Sequence, residues 1–89
     1  MSVRYVAAAF RLPISDPYKK LVLVTLGWVS NSHGETKMTL TARQLAAETG
    51  LPQCQIYEIL GELETDGVIA LRDRGGFVLT FPTSDADVR

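Results

Sequence analysis

One stretch constrains the fold more than any other: Leu40 to Leu63, LTARQLAAETGLPQCQIYEILGEL, where two short helical patterns meet at Gly50. Thr41 followed three residues later by Gln44 is the signature of a capping box, in which side chain and backbone satisfy each other at a helix start. The helix it opens runs to about Thr49, with Leu45 and Ala46 facing inward. Gly50 then supplies the left-handed position that glycine adopts at little cost. Pro52 opens the next helix, along which Ile56, Ile59, Leu60 and Leu63 fall on one stripe, and Gly67 ends it. The chain must therefore turn sharply between two helices that share a core.

What flanks this pair narrows the choice further. Val68–Arg72 and Phe77–Phe81 alternate as two strands, with Asp73-Arg74-Gly75-Gly76 as the turn and Pro82 as the stop. Lys37–Leu40 is a candidate for a brief third strand. Upstream, Asp16 is a good N-cap and Pro17 a good first helical residue for a helix reaching about Ser30. That helix is apolar on nearly every side and places Trp28 in the core. For residues 3–12 strand and short helix both fit, and the extended reading is preferred. These patterns give an N-terminal arm or strand over 1–15, a folded domain over 16–81 and a flexible tail over 82–89. The fold class is mostly α with a small β-hairpin: a winged helix-turn-helix of three helices plus a two- or three-stranded wing.

Composition removes several function classes. Eighty-nine residues, 46% of them apolar, suffice for one modest core. A single cysteine, Cys54, excludes an internal disulfide or a multi-cysteine metal site, and packing is its expected role. His33 has no neighbouring carboxylate or thiol to suggest chemistry. There is no Gly-rich phosphate loop, no metal-ligand cluster and no nucleophile–base pair, so neither an enzyme nor a cofactor is expected. The longest apolar run, Leu21–Val29, falls short of the roughly 20 residues that a membrane span needs. A cytoplasmic setting is expected, in a bacterium or for a viral protein in a bacterial host.

The run KLVLVTLGWVSNSHGETKMTLTARQLAAETGLPQCQIYEILGELETDGVI resembles the winged helix-turn-helix domains of phage and plasmid replication initiators and related small bacterial regulators. The shared elements are Lys20–Leu26, Leu45-Ala46 with Thr49-Gly50-Leu51, and Leu63 with Gly67-Val68-Ile69. The resemblance spans residues 17–81 and implies DNA binding through the helix after Gly50, serving transcription or replication. These shared positions are core and turn positions, more specific for fold than for function. Where the family places basic and hydroxyl residues at the start of its reading helix, this chain has Pro52, Gln53, Cys54, Gln55, Ile56, Tyr57 and Glu58.

Charge is strongly segregated. Residues 1–43 carry six bases against two acids, whereas residues 44–71 carry five acids (Glu48, Glu58, Glu62, Glu64, Asp66) and no base. The net charge of −1 hides that division. Carboxylates repel phosphates, and a helix without cations forgoes counterion release. Gln53, Gln55 and Tyr57 have the groups to read base edges, and Glu58 can accept from cytosine. Arg43, Arg72 and Arg74 are the candidates for holding a phosphate backbone.

Two functions fit. One is a small DNA-binding regulator of transcription or replication, of phage or plasmid type, contacting double-stranded DNA through Arg43, Gln53, Gln55, Tyr57, Glu58, Arg72 and Arg74. The other uses the same surface to bind a basic protein surface, as an inhibitor of a host nucleic-acid-binding or defence complex would. The apolar Pro17–Ser30 helix and the N-terminal arm are a candidate homodimer contact.

Overall fold

The computed structural model describes residues 3–83. Four helices, α1 (Val3–Arg11), α2 (Pro17–Val29), α3 (Ala42–Thr49) and α4 (Gln53–Thr65), precede an antiparallel hairpin of β1 (Ile69–Leu71) and β2 (Phe77–Leu79). The molecule is thus small and mostly helical, with a hairpin compatible with a winged helix.

The segment expected to be an extended arm is helix α1, giving four helices instead of three. Its cause is a stripe the extended reading overlooked. Tyr5, Ala8, Ala9 and Leu12 follow i, i+3, i+4, i+7 spacing, and all four pack on the core. Tyr5 meets Phe81 edge-on at 5.8 Å between ring centroids. The helix lies on α2 where Gly27 removes any side chain: a Cβ there would stand 3.1 Å from backbone atoms of Tyr5 and Val6. Lys20 then closes the end of α1, its ammonium donating to the carbonyls of Phe10 at 2.8 Å and Leu12 at 3.0 Å.

Local chemistry elsewhere follows the sequence closely. The Asp16 carboxylate accepts from the backbone N–H groups of Tyr18 and Lys19, and Pro17 is the first residue of α2. The Thr41–Gln44 capping box is present in both directions. Gly50 adopts φ 78° and ψ 7° and turns the chain into α4, which Pro52 precedes as N-cap. Along α4 the stripe Ile56, Ile59, Leu60 and Leu63 is buried, against Val22, Leu23 and Leu26 of α2, Leu45 of α3, and Ile69 and Leu79 of the hairpin in one cluster.

Three expectations change. The hairpin pairs Ile69 with Leu79 and Leu71 with Phe77, shorter than the strands read from the sequence. The third strand is not at Lys37–Leu40; a single bridge joins Glu35 to Val78 instead. The Thr36 N–H donates to the Phe77 carbonyl at 2.9 Å, and the Leu79 N–H to the Gly34 carbonyl at 2.8 Å. Trp28 is not core but 54% exposed, because α1 and the central cluster occupy other sides of α2. The tail expected over 82–89 lies outside the described residues from position 84 onward.

Candidate interaction surface

Burying the Ile56–Leu63 stripe obliges the opposite side of α4 to face solvent. Gln53, Cys54, Tyr57, Glu58, Gly61, Glu62, Glu64 and Thr65 are all exposed, Tyr57 at 65%. Gln55 is half-buried, so less of its side chain is open to solvent than of its neighbours. Cys54 is an exposed thiol and not a packing residue. Glu58, Glu62 and Glu64 have no ion pair among the described residues. Asp66 differs: its carboxylate accepts from the Lys19 ammonium at 3.0 Å. That hydrogen bond raises the Lys19 pKa above its ordinary 10.5. Lys19 also feels the Glu62 carboxylate and lines a cleft with Glu58 and Glu62, so Glu64 is the glutamate of this helix farthest from any compensation by that lysine.

Of the arginines expected to hold DNA, Arg43 in the first turn of α3 and Arg74 at the hairpin tip are exposed. Arg72 is not available in the same way. Its guanidinium donates to the Thr36 carbonyl at 2.8 Å and stands 3.7 Å from the Glu35 carboxylate. The side chain is half-buried and straps the hairpin to the segment before α3. The turn itself is laid down on that segment: a Cβ on Gly76 would meet the Lys37 carbonyl at 2.5 Å, and one on Gly75 the Met38 carbonyl at 2.6 Å. Thr36 adds its hydroxyl as acceptor for the Phe77 N–H at 2.8 Å. This hairpin is held against the domain.

Between the hairpin and α4 runs an apolar groove of about 250 Å³, walled by Tyr57, Leu60 and Gly61 on one side and Leu40, Leu71 and Phe77 on the other. Glu64 stands on its edge, and Leu71 is 62% exposed. Sequence reasoning missed Leu71 and Gly61 as surface residues of interest, whereas Glu64 entered it through the acidic charge of its segment. A glycine inside an otherwise well-formed helix was the available signal.

A second cleft, about 460 Å³, lies between Trp28 and Val29 of α2 and Gln44, Ala47 and Glu48 of α3, with Lys37 at its margin. On α2 itself, Tyr18, Leu21, Thr25 and Trp28 recur at heptad-like spacing, and Tyr18, Leu21 and Trp28 are exposed. Among the described residues no cluster of His, Cys, Asp and Glu side chains could hold a metal ion, and no helix is long and apolar enough to cross a membrane. Comparison with protein-family models, curated proteins and solved structures found no match to this chain.

Proposed function

We propose that the chain is a winged helix-turn-helix domain that binds a basic protein surface through the outer side of α4. The supporting observation is the composition of that helix: Glu58, Glu62, Glu64 and Tyr57 are all exposed, the three glutamates form no ion pair among the described residues, and the helix carries no base. Opposed charges steer encounter and reject wrong partners, and an exposed tyrosine is a good anchor once water is excluded. The same carboxylates disfavour a duplex. Tethering Arg72 takes from the hairpin one of the cations that DNA binding would need. An inhibitor that occupies the nucleic-acid site of a host complex is the kind of protein this surface suits.

DNA binding by a phage- or plasmid-type regulator is the second reading, favoured by the exposed Arg43, Gln53, Tyr57 and Arg74 on the helix-turn-helix and hairpin. One experiment separates the two. A labelled Lys/Arg-rich peptide and a random-sequence DNA duplex are each titrated against wild type and the Glu58→Lys, Glu62→Lys double variant, at low and high salt. Protein docking predicts that the variant loses the peptide and gains affinity for the duplex. Tight, salt-sensitive duplex binding by wild type, with no peptide binding, would reverse the assignment.

A homodimer is the proposed use of the apolar side of α2. The exposed Tyr18, Leu21 and Trp28 support it, and sedimentation equilibrium tests it: Leu21→Glu with Trp28→Glu should shift a dimer to monomer.

A further inference from the structure

The cleft between α2 and α3 is lined by one base and one acid, Lys37 and Glu48, around an apolar lining of Trp28, Val29, Leu40 and Ala47. Trp28 is 54% exposed and belongs both to this cleft and to the exposed Tyr18, Leu21 and Trp28 side of α2, so the two surfaces are continuous. An exposed tryptophan beside a cleft is the kind of anchor on which interfaces concentrate their energy. Lys37 and Glu48 are both exposed, and neither forms an ion pair among the described residues. Their places differ. Lys37 precedes the Thr41 cap, its carbonyl accepting from the Leu40 N–H at 3.1 Å, whereas Glu48 is in the last turn of α3. About 9 Å of helix separates Ala42 from Glu48, so the two charges mark opposite ends of the α3 wall.

That distribution selects the occupant. A nucleic acid, or a protein surface of one sign, would satisfy one of the charges and desolvate the other against a like neighbour. A second copy related by a two-fold axis lies with its α3 antiparallel, and the Lys37 end of each α3 then meets the Glu48 end of the other. We propose that the α2–α3 cleft is the two-fold contact of a homodimer, in which Lys37 of each copy pairs with Glu48 of the second beside the apolar lining. This rests on the dimer reading of α2 and gives that dimer its register. No residue of α4 lines the cleft, so the contact is separate from the acidic side of that helix.

The test is sedimentation equilibrium of the full chain at low salt, with Lys37→Glu and Glu48→Lys made singly. Each single variant meets its own second copy with like charges at both ends and should dimerise about tenfold more weakly than wild type. An equimolar mixture of the two variants should recover wild-type affinity, because the mixed dimer pairs opposite charges at both ends. Both positions are exposed, and circular dichroism checks that each variant is folded. Trp28 is the one tryptophan of the chain, so wild-type emission should move to shorter wavelength as the dimer forms, and at about tenfold higher concentration in either single variant. A wild-type dimer indifferent to both substitutions would overturn the cleft contact and leave a dimer through Tyr18 and Leu21 standing. Weakened single variants that fail to rescue each other would also overturn it. A wild type that stays monomeric throughout would sink the dimer reading itself.

Discussion

The same substitution, glycine to alanine, should have opposite effects at two helical positions. In a helix interior alanine is favoured over glycine by about 1 kcal/mol, partly through a less flexible unfolded chain. At Gly61 nothing opposes that gain, since an added Cβ meets no atom within 4 Å. Gly61→Ala should therefore stabilise the domain by about 1 kcal/mol, a rise in Tm of roughly 4–8 °C for a chain of this size. At Gly27 the added Cβ would stand 3.1 Å from the carbonyl carbon of Tyr5 and the nitrogen of Val6, and 3.2 Å from the Tyr5 carbonyl oxygen. These are backbone atoms and cannot rotate aside, so α1 must shift as a unit. Overpacking of this kind costs about 1–3 kcal/mol. Set against the propensity gain, Gly27→Ala should be neutral to destabilising by about 2 kcal/mol, and Gly27→Val worse. Thermal and urea denaturation followed by circular dichroism measure both variants. A stabilised Gly27→Ala together with a destabilised Gly61→Ala would refute the packing of α1 on α2 and the emptiness of the space above Gly61.

Arg72→Ala should cost about 1–2 kcal/mol in urea denaturation, because the Thr36 carbonyl loses a charge-assisted donor, while Arg74→Ala should stay within about 0.5 kcal/mol. Thr41→Ala removes the acceptor for the Gln44 N–H and should destabilise by about 1 kcal/mol, with hydrogen exchange increased first at the start of α3. The Lys19–Asp66 pair carries a pH signature. The folded Lys19 pKa is raised, so its contribution is complete below the unfolded value of 10.5 and is lost as pH climbs through the folded value. Asp66→Asn should flatten that alkaline loss relative to wild type in Tm-against-pH curves, and by a small amount, since the Asp66 end of the pair is open to solvent.

Legibility in the sequence followed the range of the interactions. Asp16 with Pro17, Thr41 with Gln44 and the left-handed Gly50 are chemistry among near neighbours, and each is where residue type and spacing put it. The α4 stripe was equally readable, and with it the outward direction of Tyr57 and Glu58. α1 was missed although Tyr5, Ala8, Ala9 and Leu12 are correctly spaced, because alanine carries too little apolar weight to stand out until a glycine on a second helix gives it a seat. Trp28 was misplaced for a related reason: a helix apolar on every side does not say which sides its neighbours will cover. Arg72 finds Thr36 across 36 positions of sequence, and no local pattern announces such a partner. The groove could be suspected only from Gly61. Its opposite wall required the hairpin to be laid down first.

Fastening the hairpin through Arg72, Thr36 and the buried Gly76 has a kinetic consequence for anything that docks beside it. A wing free to swing would have to be immobilised at each encounter, and the entropy lost would slow capture and weaken the complex. Here that immobilisation is already accomplished by folding, so the reordering falls on the visitor alone. Differences among visitors should then show in how long each stays, with arrival rates nearly alike among those of equal charge.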